Sequence, residues 1–300
     1  MDWLETKSFL GACFPDELRD ELELLIPGEL REIRIRADRP TVFCTASRTM
    51  ALNWRPGKRE VETLAEAITD HSLYARTDET SQGYVTLEGG HRMGICGQVT
   101  FRDGKTELRD FGSLCIRIAC QWPGSADTLI PFARHGGCVQ SMLIIGAPGT
   151  GKTTLLRDLA RQLASGSNAI QTAVIDERGE LAASVGGVPQ LNVGEWTDVL
   201  DGSSKQEGVS WLIRSMSPQL IVTDELSGAE DAGAVMEALS CGVSIIASVH
   251  GHSLNDVASR PSIAALMSRR CFSYYVVLSH EGGGQIDAIF DRSGSPVKFE

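Results

Sequence analysis

A lysine and a hydroxyl stand side by side at the end of a glycine-rich run, Gly146-Ala147-Pro148-Gly149-Thr150-Gly151-Lys152-Thr153, with Thr154 next. The spacing is G-x-x-x-x-G-K-[ST], in which glycines let the backbone curl until its N–H groups point at phosphate oxygens. An apolar strand precedes the run and a helix with Leu155, Leu156, Leu159 and Leu163 on one face follows it, so the positive helix end is aimed at the same anion. Residues 146–154 are therefore the expected nucleotide contacts. Lys152 adds a point charge at the β- and γ-phosphates, and Thr153 offers a hydroxyl to Mg²⁺.

Carboxylates come next. Leu220-Ile-Val-Thr is an apolar strand ending in Asp224-Glu225. Beside a phosphate loop, Asp224 is expected in the magnesium shell, and Glu225 is expected to orient or deprotonate a water. Ala173-Val-Ile-Asp176-Glu177-Arg178-Gly179-Glu180 is another strand ending in acids, and Ile245-Ile-Ala-Ser248-Val-His250-Gly251-His252 is one ending in serine and histidine. His250 can bond a γ-phosphate and report its presence; a loop histidine with a local partner is the alternative.

The elements that must hold these groups alternate: strand signals at 141–145, 173–176, 220–224 and 243–249, helix signals at 155–163 and 232–239, then a terminal hairpin with strands at 274–278 and 285–290 around Gly282-Gly-Gly284. Such alternation predicts an α/β domain with a parallel sheet flanked by helices. Ahead of it the pattern is α+β. Leu18, Leu22 and Leu25 predict an amphipathic helix over 15–26, and Glu60 to Tyr74 reads as a second. Residues 30–36 alternate as a strand, another strand follows Pro40, and Tyr84–Leu87 and His91–Val99 are strands around a Gly-rich turn. Arg102-Asp-Gly-Lys105 predicts a hairpin turn. Trp122-Pro-Gly-Ser125, Pro131 and Gly136-Gly137 mark the change of pattern, and the expected domains are 1–130 and 131–300.

Composition excludes several classes. Three hundred residues suffice for two cores, and 42% hydrophobic with 22% charged residues is a folded composition. The 28 basic against 39 acidic side chains, net −11, disfavour affinity built on neutralising nucleic-acid phosphates. Arg31, Arg34, Arg36 and Arg39 form a local cluster, either a solvated strand face or a basic patch. The eight cysteines include no C-x-x-C pair, as expected of reduced thiols in a cytosolic protein. Neither a signal peptide nor an apolar run long enough to cross a bilayer is read, which leaves peripheral membrane contact.

The order of phosphate loop, acidic box, Asp-Glu strand and His box resembles the secretion-ATPase superfamily. With Arg34-Ile-Arg36, Gly83-Tyr-Val, Gly89-Gly-His-Arg92-Met-Gly, Cys115-Ile-Arg117-Ile-Ala119 and Asp176-Glu-Arg-Gly-Glu180, nearly the whole chain is similar to the stage III sporulation AA family. That resemblance implies a RecA-like P-loop NTPase domain behind a smaller α+β domain. It also implies ATP and Mg²⁺ as cofactors, a homo-hexameric ring, and membrane-protein partners at a channel between mother cell and forespore. The chain would be cytoplasmic, on the mother-cell side, and reach the membrane through those partners. Glu180 then falls where secretion ATPases carry an acidic-box catalytic glutamate, His250 matches the His box, and Glu225 the Walker B glutamate.

This chain has Asp224-Glu225 where those motors have Gly-Glu, and Ser227-Gly228 where they have Arg-Asp; the carboxylate at Asp224 favours Glu225 as the water-orienting residue and leaves Glu180 as its competitor. Arg92 and Arg117 are the candidates for a cation at the γ-phosphate, because N-terminal-domain arginines serve the resembled motors. The expected activity is a motor or assembly ATPase. A nucleic-acid-dependent RecA-like ATPase, as in plastid relatives coupled to single-strand-binding modules, and a nucleotide-dependent scaffold with negligible turnover are the alternatives.

Overall fold

The computed structural model describes residues 3–73, 76, 80–81, 83–102 and 105–299, in two compact units, Met1–Cys120 and Gln121–Glu300. In the first unit, α1 (Trp3–Cys13) and α2 (Asp16–Glu23) precede β1 (Leu30–Arg36), β2 (Val42–Thr45) and β3 (Thr49–Ala51). Then come α3 (Lys58–Ile68), β4 (Tyr84–Thr86), β5 (Arg92–Arg102) and β6 (Lys105–Arg117). The strands form one sheet, β3-β2-β1-β6-β5-β4, with every neighbouring pair antiparallel.

One core holds this unit together. Leu18 and Leu22 of α2 and Val61, Leu64, Ala65 and Ile68 of α3 fall at helical spacing and are buried with Ile33 and Ile35 of β1, which lie two residues apart and so share one sheet face. The expected second helix stops at Ile68 rather than Tyr74. The Thr69 hydroxyl donates to Ala65 O, and Asp70 and His71 have φ of 48° and 55°, which turn the chain out of the helix. Asp103 and Gly104 of the expected hairpin turn, and Tyr74, lie outside the described residues.

The second unit opens with α4 (Ile130–Ala133) and the short pair β7 (Arg134–His135) and β8 (Cys138–Val139). Its main elements are β9 (Met142–Gly146), α5 (Lys152–Leu163), β10 (Thr172–Asp176), β11 (Thr197–Asp201), α6 (Lys205–Ser215), β12 (Leu220–Thr223) and α7 (Ala229–Ser240). β13 (Ser244–His250), α8 (Leu254–Ala258), α9 (Pro261–Ser268), β14 (Tyr274–Leu278), β15 (Ile286–Asp291) and β16 (Pro296–Val297) complete it. The sheet order is β11-β10-β12-β13-β9-β14-β15-β16; the first six strands are parallel and the last two antiparallel.

The apolar strands explain the layering. A strand alternates faces, so Leu143 and Ile145 of β9 pack with α6 to α9, while Met142 and Ile144 pack with α5. All five residues of β9 are buried. Helix α5 begins at Lys152 behind an N-cap glycine, Gly151, that offers no side-chain cap, a loss of roughly a few tenths of a kcal/mol. Its four buried leucines, at roughly 2 kcal/mol each, outweigh that several-fold. The helix therefore forms while no side chain occupies its N-terminal end.

The units divide between Cys120 and Gln121 rather than at the expected 130/131. Ala126 and Leu129 are buried in the second unit's core, the Ala126 N–H donates to Asp158 Oδ2 at 2.8 Å, and Gln162 Nε2 donates to Asp127 Oδ1 at 2.8 Å. Residues 126–129 are thus fastened to the second unit's core and α5. Among the described residues, no helix is long and apolar enough to cross a membrane.

Candidate active site

Because β9, β10, β12 and β13 run parallel, their carboxyl ends reach one edge of the sheet. Gly146 lies opposite His250 in register, and Thr223, one residue before Asp224, pairs with both Ile175 and Ala247.

The glycine-rich loop leaves β9 and enters α5. Gly151 has φ +100°, and a Cβ there would meet Gly284 N at 2.6 Å and Gly284 Cα at 2.8 Å. A Cβ on Gly146 would lie 2.4 Å from Thr150 Oγ1, which itself donates to Ala147 O at 2.8 Å. The loop is a cradle that any side chain at these two positions would fill. Gly284, in the turn between β14 and β15, donates its N–H to Thr150 O at 2.8 Å, so the last hairpin braces the cradle from outside. Lys152 Nζ donates to Gly146 O at 2.9 Å and Ala147 O at 3.0 Å. Burial pushes its ammonium below the ordinary lysine range, against the pull of Asp224, Glu225 and Glu180 in the other direction. Thr154, one position further, borders a small recess with Trp122 and Arg157 on α5's flank.

Thr153 Oγ1 donates to Asp224 Oδ2 at 2.7 Å, joining the start of α5 to the end of β12. The other Asp224 oxygen accepts from Ser248 Oγ and, at 2.9 Å, from the Glu225 N–H, which also reaches Ser248 Oγ at 3.0 Å. A hydroxyl and a carboxylate held this close form a hard-oxygen donor set that suits Mg²⁺, whose remaining positions water and phosphate can fill. The residues present fit a magnesium–triphosphate pair. Glu225 sits at φ +43°, in the left-handed region, and its Oε2 pairs with Arg178 Nη1 at 2.6 Å.

The acidic loop after β10 is built around Asp176. Its buried carboxylate accepts from the N–H groups of Glu180 at 2.8 Å, Leu181 at 3.1 Å, Ala182 at 2.7 Å and Ala183 at 3.3 Å. Asp176 therefore shapes the loop, and its oxygens are turned inward. Arg157 of α5 fixes the same segment through Leu181 O and Glu180 O, both at 2.6 Å. The Glu180 side chain is exposed and acts on Lys152 by charge. Lys205, buried at the start of α6, pairs with Glu177.

His250 Nδ1 lies 3.3 Å from Gly146 O, and Arg260 Nη1 donates to His250 O at 2.5 Å. Beyond it His252 stacks on His280 of the last hairpin, with ring centroids 5.1 Å apart. Of the expected site residues, the structure brings Gly146, Lys152, Thr153, Asp224, Glu225 and His250 onto one edge through direct or shared contacts. Glu180 belongs to the loop that Asp176 orders and acts on Lys152 by charge. Arg92 and Arg117 lie in the first unit, the guanidinium of Arg92 4.2 Å from the centroid of the Tyr84 ring and Arg117 3.5 Å from Glu32. Sequence pattern alone does not mark Ser248, Arg178 or Gly284 as site residues. Their signals were present as a serine inside the His-box strand, an arginine inside the acidic run and the triple-glycine turn, but each partner is distant in sequence.

The family model for sporulation stage III, protein AA matches residues 17–297. Stage III sporulation protein AA of Bacillus subtilis (strain 168) is 40% identical over 272 residues, covering 89% of this chain and 88% of that protein. Among solved structures, the Yersinia pseudotuberculosis ATPase DotB superposes with a TM-score of 0.61 at 15% identity over 93% of this chain and 80% of that one. The pilus retraction motor PilT with bound ADP gives 0.60 at 13% identity over 87% and 76%. These two show a shared α/β fold. The extent of the family match and the identity to the Bacillus protein make this chain a member of the sporulation stage III protein AA family.

Proposed function

We propose that the chain is a magnesium-dependent ATPase that works as the motor or assembly ATPase of a secretion-like channel between mother cell and forespore. The observation that carries this reading is the Thr153–Asp224 contact at 2.7 Å, which sets a metal-binding hydroxyl and carboxylate beside Lys152 at the mouth of the glycine cradle. Residues 146–154 would hold the triphosphate, Lys152 leaving its loop carbonyls for the phosphates, and Mg²⁺ would offset charge on the phosphate oxygens. Glu225 would take a proton from the water whose oxygen bonds to the γ-phosphorus while the bond to the bridging oxygen breaks, releasing ADP. His250, one hydrogen bond from the loop, would sense the γ-phosphate.

Membership of the family supports sporulation as the setting, and likeness to ring motors supports a homo-hexamer that reaches the membrane through partner proteins of the stage III complex, from the cytoplasmic side of the mother cell. The acidic balance speaks against a nucleic-acid partner. Phosphate release by the purified chain with Mg²⁺ and ATP tests the reading. Glu225→Gln is expected to lower kcat by about 100-fold or more, and Glu180→Gln by about tenfold or less. Full turnover in Glu225→Gln with loss in Glu180→Gln would transfer the water to Glu180.

A further inference from the structure

The motor reading needs a cation for the charge that develops on the transferred phosphoryl group, and the second unit carries one on the site edge. We infer that Arg178 is a γ-phosphate-binding residue acting within its own chain, and that its pairing with Glu225 is the resting state of an exchange. The inference rests on the ATPase reading above.

Three observations carry it. Arg178 Nη1 lies 2.6 Å from Glu225 Oε2, so it already stands at the carboxylate that would handle the water. The backbones on both sides are fixed: Asp176 and Arg157 hold the acidic loop, and Asp224 with Ser248 holds the Glu225 N–H. Motion is left to two side chains. Both are substantially exposed, 66% for Arg178 and 41% for Glu225, and an ion pair open to water is weakly held.

A γ-phosphate carries more charge than one carboxylate and presents several oxygens to the guanidinium's planar fork. When it arrives, Arg178 transfers to it. Glu225 Oε2 then loses its guanidinium partner and can turn to a water at the γ-phosphate. ADP lacks the γ group and leaves the pair intact, so the carboxylate is freed only when there is something to hydrolyse.

The test is calorimetric titration of the full chain, with Mg²⁺, by ADP and by a non-hydrolysable ATP analogue. Arg178→Ala is expected to weaken analogue binding about tenfold while ADP affinity stays within about twofold, and to lower kcat on the order of 100-fold. Arg178→Lys restores part of both. Glu225→Gln, which loosens the resting pair, shifts analogue affinity the opposite way and leaves ADP unchanged. Preserved ADP binding reports that each variant is folded. Equal weakening of both nucleotides, or of neither, in Arg178→Ala overturns the exchange and reduces the pair to a loop tether while the ATPase reading stands. If the unaltered chain binds neither nucleotide, the ATPase reading falls first and this inference falls with it.

Discussion

The two sheets of this molecule treat their polar residues differently. In the antiparallel sheet of the first unit, neighbouring strands end at opposite edges, so no edge gathers successive strand tips. Its charges are spread over the strands instead, as in the pairing of Glu32 with Arg34 at 2.7 Å and with Arg117 at 3.5 Å across β1 and β6. In the parallel core of the second unit every strand ends at the same edge, and Gly146, Asp176, Asp224 and His250 collect there from four separate stretches of chain. Chemistry that needs several convergent groups has one place to assemble, and strand direction decides where.

If that contrast is right, damage to the glycine loop at the shared edge should weaken nucleotide binding, while damage in the antiparallel unit should register as stability alone. The largest effect is expected for Gly151→Ala. The new methyl meets the backbone of Gly284 at φ +100°, a combined strain of roughly 4 kcal/mol, so nucleotide affinity should drop by about 100-fold or more in calorimetry. Retained affinity would mean that the last hairpin gives way freely and does not brace the cradle.

Next, Asp176→Ala strands four N–H groups, three of them on the buried residues Leu181, Ala182 and Ala183. Urea unfolding should show a loss of about 3 kcal/mol, accompanied by proteolytic sensitivity between Glu177 and Ala183. An unchanged midpoint would show that those amides find other acceptors.

The smallest effect belongs to the first unit. His91 is buried, its Nδ1 accepts the Ala119 N–H at 3.0 Å, and burial lowers its pKa from 6.5 to about 4. The folded state thus binds the proton more weakly than the unfolded state. The contribution is fully present above about pH 6.5 and is lost as pH falls toward 4. Between pH 7 and 5 the unit should lose about 2 kcal/mol, read from thermal melts, and His91→Gln should remove that dependence. A melt that is flat over this range in the unaltered chain would place His91 in water.

The glycine loop, the acid pair and the alternation of strands and helices were legible because each is a local pattern: fixed spacing, or a buried apolar run bounded by polar residues. β11 was not, since Thr-Asp-Val-Leu-Asp has little apolar alternation and is only half-buried at the sheet's edge. α1 was missed for the same reason, being weakly amphipathic with only Thr6 and Leu10 buried. Asp176 could be placed at the correct edge but not given its role, because a carboxylate that caps four amides and one that faces a metal look identical in sequence. The pairings Arg178–Glu225, Ser248–Asp224 and Gly284–Thr150 join residues that only the closed sheet brings together.

The position of β9 has a consequence for synthesis. The strand that feeds the phosphate loop finds both its neighbours, β13 and β14, only after residue 244, and its brace only at Gly284. A ribosome making this protein therefore releases the loop long before the partners that shape it emerge. The cradle is among the last features to mature, taking its final shape only once the residues through Gly284 have left the tunnel.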